Sequence, residues 1–156
     1  MTASSIPENP ELTRRSLIAR HSNRLTAGVL FFVSTGVLGL AAWLEPSAAG
    51  IGTHRQMGLP PCQFEQMTGL PCATCGCTTS FAHAADGSLI QSFINQPFGA
   101  VLAVLTAVAS LVTGYALVTN LPLAPIGRVL GSGRVVVLGL GLLLAAWAYK
   151  IIVHLG

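Results

Sequence analysis

Three long apolar runs constrain what this chain can fold into more than any other feature. They cover residues 25–44, 98–119 and 135–155; the first two contain no charged residue, and the third carries only Lys150. At about 1.5 Å per helical residue, a run of about 20 residues spans the roughly 30 Å hydrocarbon core of a bilayer. The runs therefore predict three transmembrane helices in an all-α membrane protein, with Lys150 extending to the interface.

Composition supports the same class. The chain has 156 residues, of which 52% are hydrophobic and 8% are charged, against roughly 25% charged in ordinary soluble domains. A soluble chain this short could not bury so much apolar surface. The first run also exceeds the roughly 7–15 residues of a signal-peptide core and follows a long polar segment, which predicts an uncleaved anchor.

The segments between the runs complete the expected organisation. Residues 1–24 are polar and predict a disordered tail, with a short surface helix over 11–24 as the alternative. Residues 120–134 are rich in proline and glycine and predict a short connection. Residues 45–97 form a longer, cysteine-rich loop. Within it Phe81, Ala85, Leu89 and Phe93 recur every four residues, which predicts a short amphipathic helix over about 79–93, lying on the membrane surface or docking a partner.

Basic residues predict the orientation. Six of the eight lie before the first run or within the 120–134 connection: Arg14, Arg15, Arg20, Arg24, Arg128 and Arg134. Because basic residues concentrate in cytoplasmic segments, the N-terminus is expected inside, with the cysteine loop and the C-terminus extracytoplasmic. No aromatic residues interleave with the arginines, so a nucleic-acid partner is not expected.

All four cysteines lie within sixteen positions of the loop, at Cys62, Cys72, Cys75 and Cys77. Residues 61–64 read Pro-Cys-Gln-Phe, and residues 68–78 read Thr-Gly-Leu-Pro-Cys-Ala-Thr-Cys-Gly-Cys-Thr. Together with Asp86-Gly87-Ser88-Leu89 and Asn95-Gln96-Pro97, this pattern over residues 58–119 resembles the domain of unknown function family 2752, small bacterial membrane proteins. The resemblance implies a bacterial plasma membrane and this topology, but no activity.

Three positions depart from the family pattern. Ala73 stands where the family usually has proline, Thr79 where it has arginine, and Cys77 where methionine is frequent. If that arginine serves a family function such as binding an anion, this chain lacks it. The fourth thiol, Cys77, is an addition whose role the resemblance does not supply.

The thiols allow three interpretations. In an oxidising compartment they form structural disulfides, with Cys62 joined to Cys72 or Cys75, since a bond between Cys75 and Cys77 would close a strained ring. Alternatively, Cys72-x-x-Cys75 binds zinc, copper or iron together with Cys62 and either Cys77 or His83. A third interpretation is thiol redox chemistry, since a helix beginning near Thr78 would lower the pKa of a neighbouring thiol.

The sequence favours a non-enzymatic structural or interaction subunit with a disulfide-stapled outer loop. Its expected partners are the lipid bilayer and either a membrane protein or a second copy of the chain. No catalytic or cofactor-binding residue is assigned, and no cofactor is expected. The alternative is a membrane-bound thiol-redox or metal-binding protein that uses the four cysteines.

Overall fold

The computed structural model describes residues 10–155, and every regular element in that range is helical. A short 3₁₀ helix (Thr53–Met57) lies between α1 and α2. The α-helices are α1 (Pro10–Trp43), α2 (Gln63–Thr68), α3 (Cys77–Ala85), α4 (Leu89–Asn95), α5 (Pro97–Thr119), α6 (Ala124–Leu130) and α7 (Gly133–Leu155). The predicted all-α fold class is confirmed.

Three of the described helices are long and apolar enough to cross a membrane: Ile18–Trp43 within α1, and the whole of α5 and α7. Large apolar side chains cover their outward surfaces, for example Phe32 (74% exposed), Leu111 (75%) and Leu138 (72%). An exposed apolar surface of this extent indicates a lipid environment. The predicted number of membrane-spanning helices is therefore confirmed.

Helix α1 begins earlier than the predicted span. Its first residue is Pro10, a residue that is tolerated in the first turn because no backbone N–H is needed there. No proline or glycine interrupts residues 11–27, so the helix continues through much of the segment predicted as a disordered tail. The rest of that tail, residues 1–9, lies outside the described residues.

Helices α1 and α5 pack antiparallel through small side chains. Thr35 Oγ1 lies 2.8 Å from Ser110 Oγ across the interface. A Cβ atom on Gly114 would lie 3.0 Å from the ring of Phe31, so the backbones approach closely at this point. The other small residues buried in these helices include Ala27, Ser34, Ala41, Ala100, Ala103, Thr113 and Ala116.

Asn23 ties α1 to the connection that follows α5. Its Nδ2 atom donates to the carbonyl of Leu121 at 2.7 Å, and its Oδ1 accepts the backbone N–H of Leu123 at 2.9 Å. The predicted connection over residues 120–134 contains helix α6. Pro125 lies in the first turn of that helix, where its missing N–H costs no hydrogen bond.

Residues 45–96 fold over the ends of α1 and α5 as a compact unit, called here the cap. Where the sequence predicted one helix over about 79–93, the cap contains α3 and α4 with a turn between them. Gly87 has a φ of 80°, and the N–H of Ser88 reaches the carbonyl of His83 at 2.8 Å, which closes the end of α3. The positive φ at Gly87 is the reason that one helix becomes two.

Helix α4 exposes its apolar side chains and buries a polar one. Ile90 is 77% exposed, and Leu89, Phe93 and Ile94 are also exposed, whereas Ser92 is fully buried. The buried serine is paired with Ser80 on α3: each hydroxyl donates to the other residue's carbonyl, at 3.0 and 2.7 Å. An outward apolar face of this kind is compatible with both predicted roles, a helix on the membrane surface and a docking face for a partner.

Helix α7 is hydrogen-bonded to the cap through several side chains. Its buried residues are Ala146 and Lys150. Three of its other side chains reach cap carbonyls: Trp147 Nε1 donates to Pro71 at 2.9 Å, Tyr149 Oη donates to Ile94 at 2.8 Å, and His154 Nε2 lies 3.2 Å from the carbonyl of Gly69. The position of α7 is therefore coupled to the segment that carries the cysteines.

Candidate functional site

Three thiols from two segments of the cap converge on one point. The Sγ atoms of Cys62, Cys72 and Cys75 all lie within 4.8 Å of one another. The Sγ atoms of Cys72 and Cys75 are 3.0 Å apart. All four cysteines are free, so the disulfide that the sequence favoured is not confirmed.

Local backbone geometry explains this convergence. Cys62 precedes α2, and Gly69 ends that helix with a φ of 71°, which turns the chain back toward Cys62. A tight turn follows, in which the N–H of Cys75 donates to the carbonyl of Cys72 at 3.0 Å. The side chain of the fully buried Gln96 supports this turn, since its Nε2 donates to the carbonyl of Ala73 at 3.0 Å.

Gly76 closes the cysteine turn in a position that only glycine fits. Its φ is 90°, and an added Cβ would lie 2.8 Å from the carbonyl oxygen of Gly50. The conformation disfavours any L side chain, and the backbone oxygen has little freedom to move away. Asn95 Nδ2 also donates to the carbonyl of Gly76 at 3.0 Å. Gly76 is therefore packed between the start of the cap and the end of α4.

Lys150 of α7 reaches the other side of this turn. Its Nζ donates to the Gly50 carbonyl at 3.2 Å, the Asn95 carbonyl at 3.0 Å and Asn95 Oδ1 at 3.1 Å. Each of the three N–H groups of the ammonium thus has an oxygen acceptor, and none of these acceptors is a carboxylate. The sequence predicted that Lys150 extends to the interface; its side chain is 9% exposed and turns into the cap.

The other two predicted ligands lie apart from the thiol cluster. Cys77 is the first residue of α3, and its backbone packs against Gly99 at the start of α5, where an added Cβ would lie 3.0 Å from the Cα of Cys77. His83 lies near the end of α3 and is half-buried. In residues 10–155, neither belongs to the group of ligand atoms formed by Cys62, Cys72 and Cys75.

Comparison with known proteins bears on this same segment. Residues 62–110 match the family described as "Protein of unknown function (DUF2752)". The resemblance to that family is confirmed. No curated protein and no solved structure matches the chain. The DUF2752 match contains all four cysteines and Asn95, but Gly50 and Lys150 lie outside it.

Two thiols of the DUF2752 segment have opposite pKa shifts. Burial raises the pKa of Cys72, but hydrogen bonds with Cys75 and Thr74 outweigh it, and the pKa falls from 9.0 to about 7. Burial raises the pKa of Cys75 strongly, and hydrogen bonds with Cys72 and Cys62 add to that effect. For Cys77, burial raises the pKa against the opposing effects of Gln96 and the Lys150 charge. Of these three thiols, Cys72 is therefore the one that ionises most readily.

A cavity of about 240 Å³ adjoins the three clustered thiols. Its wall also carries His54 and Glu65, and the hydroxyl-bearing side chains of Thr74, Thr78 and Thr79. His54 Nε2 lies 3.2 Å from the carbonyl of Pro60. The sequence analysis assigned no role to Glu65, because a single carboxylate between Cys62 and Cys72 does not by itself indicate a metal ligand. The cavity gives the thiol cluster room for an additional ligand.

The pKa difference predicts selective alkylation of the metal-free, reduced protein. Because the pKa of Cys72 is about 7, its thiolate fraction and its reaction rate with iodoacetamide should rise between about pH 6 and pH 8. The raised pKa of Cys75 keeps that thiol protonated and slow throughout this range. Peptide mass spectrometry after timed alkylation measures both rates, with denatured protein as the control. Equal rates for Cys72 and Cys75 in the folded protein would contradict the prediction.

Proposed function

We propose that the cap is a metal-binding site in which Cys62, Cys72 and Cys75 hold a zinc or copper(I) ion. The observation that carries this proposal is the convergence of three free thiols within 4.8 Å. Thiolates are preferred ligands of Zn²⁺ and Cu⁺, and three protein ligands with one open position form a common zinc arrangement. The adjoining cavity, with Glu65 and His54 on its wall, offers space for a fourth ligand.

The number of clustered thiols favours a metal over a structural disulfide. A disulfide between any two members of the cluster would leave the third thiol without a partner. The cap also has an independent source of stability, because Thr53, Thr79, Ser80 and Ser92 are fully buried and hydrogen-bonded in pairs. Metal binding, which the sequence analysis gave as the alternative function, therefore has more support than an interaction subunit with a disulfide-bonded loop. Membership of a larger membrane complex stays a prediction.

The proposed site faces the extracytoplasmic side of a bacterial plasma membrane. Helices α1 and α5 are antiparallel, so the start of α1 lies beside the end of α5, opposite the cap. The exposed arginines of that opposite end are Arg14, Arg20, Arg24, Arg128 and Arg134. Their concentration supports a cytoplasmic location for that end, and the cap then lies outside.

Thiol–disulfide exchange is the second candidate function, and the arrangement of Cys72 and Cys75 favours it. Their Sγ atoms are 3.0 Å apart, and Cys72 is the more exposed of the two. A Cys72 thiolate would attack a substrate disulfide, form a mixed disulfide and release one substrate thiolate. Cys75, once deprotonated, would then attack the Cys72 sulfur, leaving a Cys72–Cys75 disulfide and a fully reduced substrate.

One measurement on the detergent-purified protein separates these functions. The reduced chain is titrated anaerobically with Zn²⁺ and, separately, with Cu⁺, and bound metal and alkylated cysteines are then counted. The metal function predicts one ion per chain and protection of Cys62, Cys72 and Cys75 from alkylation. No stoichiometric metal, together with a Cys72–Cys75 disulfide that forms and is reduced reversibly, would overturn the metal function and support exchange.

A further inference from the structure

The thiol cluster has a positive charge close by, supplied from a distant part of the chain. Lys150 lies 75 positions beyond Cys75 and outside residues 62–110. Its Nζ lies 3.2 Å from the position of a Cβ on Gly76, the residue that directly follows Cys75. Three oxygen acceptors hold it there. The ammonium is therefore fixed against the backbone of the turn that carries two of the three proposed ligands, Cys72 and Cys75.

We infer that Lys150 is a positioning residue of the proposed metal site, whose charge stabilises the thiolate complex and favours Cu⁺ over Zn²⁺. The inference rests on the proposed metal function. It assigns a role to the third membrane helix, which contributes no thiol. It also accounts for a buried lysine whose hydrogen-bond acceptors carry no formal negative charge.

The selectivity follows from the charge of the complex. Thiols bind metals as thiolates and release their protons on binding. Three thiolates with Cu⁺ carry a net charge of −2, whereas three thiolates with Zn²⁺ carry −1. In general, an ammonium about 10 Å from a site, at an effective dielectric constant of about 20, stabilises each added negative charge there by roughly tenfold in affinity. Because the two complexes differ by one negative charge, Lys150 should strengthen Cu⁺ binding about tenfold more than Zn²⁺ binding, whatever the charge of the metal-free thiols.

Lys150 also holds the cap to α7, so the test must separate its charge from its structural contribution. Lys150→Gln keeps hydrogen-bond donors but removes the charge, and Lys150→Arg keeps the charge. Tyr149→Phe is the matched control, since it removes a neighbouring hydrogen bond from α7 to the cap, to the carbonyl of Ile94, without changing any charge. Loss of a purely structural contact would weaken both metals by the same factor.

The experiment measures Zn²⁺ and Cu⁺ affinities of the full chain in detergent, by competition with chromophoric chelators. The expected result is that Lys150→Gln lowers the ratio of Cu⁺ to Zn²⁺ affinity by about tenfold, whereas Lys150→Arg and Tyr149→Phe leave it unchanged. An unchanged ratio in Lys150→Gln would overturn the inference and leave the metal function intact. A wild-type chain that binds neither ion would overturn the metal function, and the inference with it.

Discussion

Replacing Cys75 with serine should lower metal affinity by at least about 100-fold, more than the roughly 10–100-fold that loss of a supporting outer-shell partner causes. Cys75 is 8% exposed and its Sγ belongs to the three-thiol cluster. A serine hydroxyl stays protonated near neutral pH and is a poor ligand for Zn²⁺ or Cu⁺. Two thiols would remain, and no other cysteine in residues 10–155 lies in the cluster. Competition titration of the purified variant measures the loss.

Cys77→Ser is the matched control for this prediction. Cys77 is two positions away and half-buried at the start of α3, but its Sγ is outside the cluster. Its replacement should leave both the metal stoichiometry and the affinity unchanged. If Cys77→Ser abolished binding as completely as Cys75→Ser, the four-cysteine ligand set raised by the sequence would replace the three-thiol set.

Replacing Gly76 with alanine should strongly destabilise the cap. Two costs combine there. The φ of 90° is unfavourable for a residue with a Cβ, at about 1–2 kcal/mol, and the Cβ would lie 2.8 Å from the Gly50 carbonyl oxygen. Relief of that contact requires backbone movement, so we expect a total loss of about 3–4 kcal/mol in the free energy of unfolding. Denaturant unfolding in detergent, followed by circular dichroism, measures it.

Gly58→Ala provides the control, because Gly58 has a similar φ of 75° but nothing lies within 4 Å of its added Cβ. It should show only the conformational cost of about 1–2 kcal/mol. The difference between the two variants isolates the close approach at Gly76. Metal affinity should also fall in Gly76→Ala, since Cys75 lies on the displaced turn. Equal destabilisation by both variants would show that the contact with Gly50 contributes little.

The membrane-spanning helices could be predicted from the sequence because each one is indicated by a continuous apolar run. An apolar run of about 20 residues satisfies its own backbone hydrogen bonds as a helix and needs lipid around it, whatever the rest of the chain does. The residues at which these helices begin and end were harder to predict from the sequence. Nothing in residues 11–24 marked whether helix or disordered chain precedes the apolar run, and α1 begins at Pro10.

Within the cap, the sequence identified the cysteines but not their grouping. The Cys72-x-x-Cys75 spacing implied that these two thiols lie close, since a tight turn joins them. Whether Cys62, Cys77 or His83 completes the set depends on the turns at Gly69 and Gly76, whose positive φ values redirect the chain. The four-residue spacing over 79–93 also failed to show the break at Gly87, because both halves of the pattern are locally helical.

The sequence by itself determined that this chain is an all-α protein with three helices fit to cross a membrane and a cysteine-rich segment that resembles DUF2752. Only the tertiary structure decided which three thiols meet, and that Lys150 points into the cap beside them. The physical reason is the range of the interactions. Hydrophobicity and helix formation act between neighbours along the chain, whereas a ligand cluster and a buried charge depend on groups that folding brings together from distant positions.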